Sequence, residues 1–367
     1  DNGNHLLLSG NKAAIDFLKT IGAEHTLIGP KEPIFRFFDV RNGSHWCVRP
    51  NLGRIPWWIF RQNRRVPGST WVDYLSAIKL MYASPSSTIT DVFNTEGPLF
   101  ERFWEPLAIS VLNTPANKAV ASLLWPVFAE TFGRGGYASR PMVARKGLSD
   151  SFVDPAIRFL KKNATKIKFG SRLRSIRRTG DKSFITQLIF ADREVTVAKD
   201  EATILALPAP ITGSLLKEIE APIAHNPIVN VHFKLNTQRP QDLPVNFIGI
   251  IGGNAEWIFL RGDIISITIS AADKFVTKSA EEIIELTWKD ISCALNLNID
   301  APKQARVVKE KRATFAQTPE SLKLRAETST STLNLKLAGD WTKTDLPATI
   351  EGAIRSGNAA ADAIIKQ

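Results

Sequence analysis

The chain has few of the residues that hold metal ions or form covalent cross-links. Its 367 residues include 2 cysteines, Cys47 and Cys293, which are far apart in the sequence, and only 5 histidines. No CxxC pair or other spacing typical of a metal site occurs, so the sequence predicts neither a disulfide framework nor a bound metal. Low cysteine usage is typical of a reducing compartment, and we expect a cytoplasmic protein.

Long apolar runs are missing as well. No stretch of about 18 uncharged apolar residues occurs, so the sequence predicts no transmembrane helix. It shows no signal peptide either. The chain starts with Asp1 rather than Met, inside what reads as a motif, so we expect it to be a fragment of a longer protein.

Acidic residues are too few to balance the basic ones. Lys and Arg number 47 against 36 Asp and Glu, which gives a formal net charge of +11. The basic residues form short, scattered clusters without a recognisable nucleic-acid-binding module, so we expect no nucleic-acid partner. An anionic membrane surface, or plain solvation, fits this charge better.

One basic cluster is joined to aromatic residues. The segment contains Trp57, Trp58, Phe60, Arg61, Arg64 and Arg65. Tryptophan favours the headgroup region of a bilayer and arginine favours anionic lipid, so this segment predicts peripheral contact with a membrane such as the inner membrane. The alternative is a partly buried loop with a solvated rim.

The C-terminal tail reads as a strand, a tight turn and a helix. It contains Leu337-Ala338-Gly339-Asp340-Trp341, then Leu346-Pro347-Ala348-Thr349-Ile350-Glu351-Gly352. Small and apolar residues recur at helical spacing from Ile350 to Ile364, so one stripe of the helix can press on a sheet. A strand end beside a helix N-terminus is where α/β folds bind anionic or electron-rich cofactor groups. The pattern predicts a nucleotide or flavin site, with a plain helix–sheet contact as the alternative.

This tail resembles the C-terminal flavin motif of the FAD-dependent amine oxidase superfamily, and most closely its bacterial hydroxysqualene dehydroxylase branch. In that superfamily the turn meets the ribityl chain and the pyrophosphate, and the helix N-terminus faces the pyrimidine edge of the flavin ring. The resemblance therefore implies that FAD contacts Gly339, Asp340, Pro347, Ala348, Thr349, Ile350 and Gly352.

Three other segments resemble parts of the same cofactor site. Leu173 matches the strand whose main chain recognises adenine, and Pro208 matches a strand end that passes near the cofactor. The N-terminal run Asp1-Asn2-Gly3-Asn4-His5 resembles the segment beside the flavin, with Asn4 in place of the usual Gln. Gly3 permits close backbone approach, and His5 is a candidate for proton transfer. A turn that simply starts a strand is the alternative.

Glu105 is the second catalytic candidate. The run Phe103-Trp104-Glu105-Pro106 matches the dehydroxylase pattern. A carboxylate before a helix-kinking proline in apolar surroundings can have a raised pKa and protonate a leaving group. A surface glutamate is the alternative.

The order of the predicted elements also resembles the discontinuous layout of the superfamily. It implies an α/β (mixed α+β) fold with a Rossmann-like FAD/NAD(P)-binding domain and a substrate domain of antiparallel sheet plus helices. We assign residues 1–29, 144–215 and 314–367 to the FAD-binding domain, and residues 30–143 and 216–313 to the substrate domain. The GxGxxG turn and its following acidic residue are absent, so we expect a truncated FAD domain that binds FAD weakly.

The resemblance implies an FAD-dependent oxidoreductase of squalene and hopanoid biosynthesis. Such an enzyme removes the hydroxyl of hydroxysqualene reductively, and its partner is a long apolar isoprenoid. A flavoenzyme like the carotenoid and phytoene desaturases or the amine oxidases is one alternative. A flavin-free, lipid-binding remnant is another, and the sequence leaves the oligomeric state open.

Overall fold

The computed structural model describes residues 2–235, 247–297, 302 and 304–366. Asp1 of the N-terminal motif lies outside the described residues, as do Val245 and Asn246 at the start of a strand that the sequence predicts over 245–251.

Helices and strands alternate along the described residues, which confirms the predicted mixture of α and β structure. The α-helices are α1 (Lys12–Thr20), α2 (Ile89–Val92), α3 (Glu105–Leu112), α4 (Leu124–Glu130), α5 (Asp154–Lys162), α6 (Ala209–Leu215), α7 (Asp273–Val276), α8 (Ala280–Leu295), α9 (Pro319–Lys323) and α10 (Ile350–Ile365). The strands are β1 (Leu7–Leu8), β2 (Leu27–Ile28), β3 (Phe35–Asp39), β4 (Ser44–Val48), β5 (Pro141–Ala144), β6 (Leu173–Arg178), β7 (Ile185–Phe190), β8 (Glu194–Thr196), β9 (Thr203–Leu205), β10 (His225–Lys234), β11 (Phe247–Ile251), β12 (Trp257–Arg261), β13 (Ile264–Ile269), β14 (Ala305–Phe315) and β15 (Leu335–Leu337). Short 3₁₀ segments cover Glu24–Thr26, Trp57–Phe60, Gln62–Arg64, Asp73–Tyr82, Ala121–Leu123 and Phe132–Arg134, and π-helical turns cover Phe100–Trp104 and Ser149–Val153.

The chain divides into two compact units. The first unit comprises Asp1–Pro155 and His225–Pro319, and the second comprises Ala156–Ala224 and Glu320–Gln367. This division follows compactness and groups residues 1–29 with the first unit. The assignment of segments to FAD and to substrate stays a prediction.

A 7-stranded sheet in the order β14-β10-β13-β12-β11-β3-β4 dominates the first unit. Its neighbours are antiparallel, except that β11 runs parallel to β3. One face is apolar because alternate residues such as Val231 and Ile267 point to the same side. That face packs on α8, which Ser279 caps and which buries Ile283, Trp288 and Ile291. The result is the core of the unit.

The opposite face of this sheet carries polar and aromatic side chains. Cross-strand pairing places Asn230 opposite Thr268 and His232 opposite Ser266. Further across the sheet the same face is aromatic, and the rings that meet there are Phe35, Phe37, Phe247 and Trp257. The Trp257 indole donates a hydrogen bond to Ser110 on α3, which ties this face to the helical part of the unit.

The sequence also predicts a helix over 88–112 that Pro106 kinks, and in the structure Pro106 follows a widened helical turn. The structure has α2, then a break, then the π-helical turn Phe100–Trp104 leading into α3 with Pro106 near its start. Proline has no N–H to donate and clashes with the carbonyl four residues earlier, so the preceding turn widens. The same arrangement recurs where the turn Ser149–Val153 precedes Pro155.

The helix predicted after Thr70 is present as a 3₁₀ helix, Asp73–Tyr82. The Thr70 N–H donates to the Asp73 carboxylate at 2.6 Å, but the helix begins at Asp73 itself and no side chain caps it, so the predicted Thr70 cap was wrong. Its periodicity is three residues per turn instead of 3.6, so the buried row is Tyr74, Ala77 and Leu80.

The second unit contains a three-stranded antiparallel meander, β6-β7-β8, and a parallel pair, β9 with β15. Helix α10 packs close to β15, and its buried positions include Gly352, Ser356 and Ala360. The stripe predicted from Ile350 to Ile364 was therefore rotated from the true one. The contacting face is built of small residues, which lets the helix approach its neighbours closely.

Candidate functional site

The Gly339–Asp340 turn follows directly on β15. Gly339 has a φ of +148°, and a Cβ built on it would lie 2.6 Å from Trp341 Nε1. Both facts require glycine at this position. The Trp341 indole is buried and donates to the Leu207 carbonyl at 2.9 Å, beside the predicted cofactor residue Pro208. Pro208 and the Gly339 turn are therefore neighbours in the second unit.

The N-terminus of α10 lies just beyond this turn. Thr349 caps the helix by accepting the Gly352 N–H at 3.1 Å. A Cβ on Gly352 would lie 2.7 Å from the Pro347 carbonyl oxygen, so the loop and the first helical turn leave no room for a side chain. The first N–H groups of a helix have no partner within it, and they carry the positive end of the helix dipole. This is a suitable place for an electron-rich group.

Arg325 holds the loop between the turn and the helix, and sequence reasoning missed it. Its buried guanidinium donates to the carbonyls of Asp340 at 3.1 Å, of Thr342 at 2.9 Å and of Leu346 at 2.8 Å. Burial lowers the pKa of Arg325 to about 10, which still leaves the group charged at neutral pH. No local motif marks this residue, since its partners are 15 to 21 residues away.

Leu173 lies elsewhere in the second unit. It is half-buried at the start of β6, where it pairs with Phe190 of β7. The structure thus brings Pro208, the Gly339 turn and the start of α10 together, and leaves Leu173 in the meander.

The N-terminal segment lies in the first unit, against the polar side of the large sheet. We call Gly3, Asn4, His5, Asn230, His232 and Arg261 the polar cluster. A Cβ on Gly3 would lie 2.7 Å from Asn230 Nδ2, so this glycine is required by close packing. Arg261 Nη2 donates to Asn4 Oδ1 at 2.6 Å, and His232 Nδ1 shares a hydrogen bond of 2.8 Å with Ser266 Oγ.

Burial keeps both histidines of the polar cluster neutral. Desolvation lowers the pKa of His5, and the positive charge of Arg261 lowers it further. Desolvation is also the main cause of the lowered pKa of His232. The His5 side chain is exposed, although the protein atoms around it desolvate the ring.

Carboxylates of the first unit have the opposite shift, and Glu105, Glu256 and Asp290 are among them. Burial raises the pKa of half-buried Glu105, and the nearby charge of Glu101 raises it further. Glu101 itself is paired with Arg41. Burial raises the pKa of Glu256 to about 7, although its carboxylate accepts the Ser270 N–H at 2.7 Å. Glu256 was not predicted, because nothing beside it in the sequence shows that it is buried.

The predicted membrane segment is only partly exposed. Trp57 and Phe60 are exposed, whereas Trp58 is buried and packs edge-on against Tyr74 with ring centroids 5.1 Å apart. Trp58 therefore does not belong to the predicted contact surface. No helix among the described residues is both long and apolar enough to cross a bilayer.

A flavin is compatible with the residues of the second unit. Gly339 and Gly352 have no side chain at positions where a Cβ would clash with Trp341 or with the Pro347 carbonyl, so the backbone there is accessible. The N-terminus of α10, which Thr349 caps, directs its first N–H groups away from the helix. The described residues contain no group of three or more His, Cys, Asp or Glu side chains arranged to hold a metal ion.

Comparison with known proteins identifies the family. Residues 1–365 match the family described as flavin containing amine oxidoreductase. A hydroxysqualene dehydroxylase of Zymomonas mobilis is 40% identical over 362 residues, 99% of this chain and 86% of that protein. The enzyme of the same name from Sinorhizobium fredii is 36% identical over 367 residues, 100% of this chain and 87% of that protein.

The fold is that of solved amine oxidases. A structure of putrescine oxidase bound to putrescine has a TM-score of 0.69 at 11% identity, covering 100% of this chain and 88% of that one. This likeness confirms the predicted α/β fold of the amine oxidase type. The chain belongs to the flavin containing amine oxidoreductase family and, within it, to the hydroxysqualene dehydroxylases.

Proposed function

We propose that the flavin implied by this family is FAD, and that the chain reduces hydroxysqualene to squalene with loss of the hydroxyl group. The observation that carries the proposal is the identity of 36–40% to enzymes of that name along nearly the whole chain. The geometry agrees with it, because the polar cluster and the aromatic rings lie on the same face of the large sheet. A long apolar isoprenoid with one hydroxyl needs both surfaces.

The reaction requires one proton and one hydride. Protonation of the hydroxyl oxygen lets the C–O bond break and water leave, and a hydride added to the resulting carbocation completes the C–H bond. Bound, reduced FAD would supply the hydride. The protein must donate the proton, keep other water away from the cation and surround it with apolar and aromatic groups.

The two catalytic candidates suit different roles. The raised pKa of Glu105 increases its protonated fraction, so we propose it as the proton donor to the leaving hydroxyl. The lowered pKa of His5 leaves a neutral imidazole at pH 7, which suits a hydrogen-bonding role beside the flavin better than acid catalysis. Both roles are part of the proposal.

Within this proposal, residues 1–29, 144–215 and 314–367 serve the FAD and residues 30–143 and 216–313 serve the substrate. FAD would be held by Gly3, Leu173, Pro208, Gly339, Asp340, Pro347, Ala348, Thr349, Ile350 and Gly352. A peripheral membrane contact through Trp57, Phe60, Arg61, Arg64 and Arg65 would give access to an apolar substrate that partitions into lipid. We propose a cytoplasmic location because 2 cysteines among 367 residues fit a reducing compartment.

An anaerobic turnover assay tests the proposal. Detergent-dispersed hydroxysqualene is incubated with the protein, FAD and dithionite, and the products are separated by gas chromatography with mass detection. We expect squalene. When the flavin carries deuterium at the position that transfers hydride, the squalene should contain that deuterium. A protein that retains flavin yet yields no squalene would contradict the proposal. Dehydrogenation of a polyene under oxidising conditions would favour the desaturase alternative.

A pair of variants tests the proton donor. Glu105→Gln should lower kcat on the order of 10²-fold or more, because the Gln side chain has no acidic proton to donate to the leaving hydroxyl in the transition state. Glu101→Gln is the matched control one turn earlier. This variant should keep most of the activity. As pH rises, its activity should decline at a lower pH than that of the wild type, because removing a like charge lowers the pKa of Glu105. Equal loss in both variants would remove Glu105 from this role.

A further inference from the structure

A broad apolar surface lies on residues 55–82 of the first unit. Its exposed members have between 44% and 78% of their area accessible. They are Ile55, Trp57, Phe60, Trp71, Val72, Leu75, Ile78, Met81 and Tyr82. Proteins rarely leave so many large apolar side chains together in water without a partner. We call this the 55–82 surface.

Its two segments form one continuous surface. The rings of Phe60 and Trp71 meet with centroids 5.5 Å apart on the outside. Beneath them, Trp58 packs on Tyr74, and the Tyr74 hydroxyl accepts the Val66 N–H at 2.9 Å. The exposed side chains therefore stand on a packed and hydrogen-bonded base.

The 3₁₀ helix Asp73–Tyr82 aligns the apolar side chains. Side chains three residues apart eclipse one another in such a helix, so they form straight rows. Tyr74, Ala77 and Leu80 form the buried row. Leu75, Ile78 and Met81 form a second row that is exposed. A helix facing water would carry polar residues in that row.

The charges around this surface identify its partner. Residues 54–82 contain the cations Arg54, Arg61, Arg64, Arg65 and Lys79. The acidic residue among them is Asp73, whose carboxylate already accepts the Thr70 N–H. Arg64 lies over the Trp57 ring with its Cζ 5.1 Å from the centroid. Exposed tryptophans and aliphatic side chains in a segment with five cations match the headgroup region of an anionic bilayer.

We propose that the 55–82 surface inserts into the headgroup region of an anionic membrane, with the row Leu75, Ile78 and Met81 pointing into the leaflet. This deepens the membrane contact proposed above, adds residues 71–82 to it and specifies anionic lipid. It does not depend on catalysis, because binding is measured without substrate.

Vesicle co-sedimentation tests the proposal directly. The full chain is mixed with vesicles of phosphatidylcholine alone, or of phosphatidylcholine with phosphatidylglycerol, at low and high salt. We expect binding to the anionic vesicles, weaker binding to the neutral ones, and a blue shift of tryptophan fluorescence on binding. Absence of binding to anionic vesicles, or equal binding to both, overturns the proposal.

Matched variants separate the two contributions. The double change Ile78→Ser and Met81→Ser should weaken binding at least tenfold, whereas Phe169→Ser, an exposed aromatic residue of the second unit, should leave it unchanged. Arg61→Gln should weaken binding to anionic vesicles about fivefold and reduce its salt dependence. Serine variants that bind as tightly as the wild type overturn the insertion. A dimer that the serine changes dissociate, without lipid binding, would make a second copy of the chain the partner instead.

Failure of this membrane proposal can be distinguished from failure of the proposed enzymatic activity. Turnover of detergent-dispersed hydroxysqualene should be the same for the serine variants as for the wild type. Loss of turnover in the wild type with intact vesicle binding would contradict the enzymatic proposal alone.

Discussion

At the scale of single residues, buried charged side chains shape both units. Arg325 donates to carbonyls 15 to 21 residues away from it in the sequence, and the Glu256 carboxyl is desolvated by burial. Both are costly to bury unless they are hydrogen-bonded. Neither was predictable, because the sequence shows a charge but not its burial. The turn at Gly339 and the helix that begins near Gly352 were predicted from the tail, since a turn and a helix start have local signatures, whereas their contact with FAD stays a prediction.

Replacement of Arg325 should destabilise the second unit. Arg325→Met leaves the carbonyls of Thr342 and Leu346 without their donor, and each unsatisfied buried group costs about 1–3 kcal/mol. We expect a loss of roughly 3 kcal/mol or more in the free energy of unfolding, measured by urea denaturation. Arg325→Lys should recover only part of it, because an ammonium cannot reproduce the guanidinium fork. The exposed Arg174→Met is the control, and a loss of similar size there would contradict this role for Arg325.

Glu256 should make stability fall as pH rises. Its pKa in the folded state is about 7, above the ordinary value of 4.5, so the folded protein binds more protons than the unfolded chain between these values. Stability contributed by the protonated group is therefore full below about pH 4.5 and is lost as pH rises through 7. The loss amounts to about 3 kcal/mol at most.

The variant Glu256→Gln removes this titration while keeping an oxygen that accepts the Ser270 N–H. Urea denaturation of both proteins at pH 5 and pH 8 measures the difference. We expect the free energy of unfolding of the variant, relative to that of the wild type, to be higher at pH 8 than at pH 5. A difference that does not change with pH would show that Glu256 titrates normally.

At the scale of elements, the sequence predicts what is local and fails where long-range packing decides. The sequence predicts a helix over 279–295, which is present as α8, and a strand over 228–235 with Asn230 and His232 on one face, which is present as β10. The stripe of α10 was wrong, because Ile350 and Ile364 look more core-forming than Gly352, Ser356 and Ala360. The buried face is the one whose small residues let α10 pack closely against its neighbours, and it is not the most hydrophobic face.

Two glycines of α10 should respond oppositely to alanine. A Cβ on Gly357 meets no described atom within 4 Å, so Gly357→Ala should stabilise by about 0.5–1 kcal/mol through helix propensity alone. A Cβ on Gly352 would lie 2.7 Å from the Pro347 carbonyl and 3.4 Å from Thr349 Oγ1. Gly352→Ala should therefore displace the cap and destabilise by about 1–2 kcal/mol.

Urea denaturation measures both stabilities, and flavin retention after gel filtration measures the site. We expect Gly352→Ala to retain less FAD than Gly357→Ala. Equal retention by the two variants would mean that the start of α10 does not contact the flavin.

At the scale of the whole molecule, the discontinuous chain was predictable only through family resemblance. Residues 156–224 and 320–367 form one unit although about a hundred residues separate them. Composition and periodicity contain no information about which segments meet. The resemblance supplied a discontinuous layout, whose assignment of segments to FAD and to substrate stays a prediction, and the compact units differ from it by grouping residues 1–29 with the first unit.

Ligand-induced stabilisation separates the flavoenzyme from a flavin-free lipid-binding protein. A ligand that binds only the folded chain raises its stability by about 2.7 kcal/mol at a hundredfold excess over Kd. FAD should therefore raise the Tm of the wild type, and squalene should raise it further in the presence of FAD. The Gly352→Ala protein should need more FAD for the same shift, measured relative to its own Tm without ligand. A shift with squalene but none with FAD at any concentration would favour the lipid-binding alternative, because apolar burial alone would then account for the ligand.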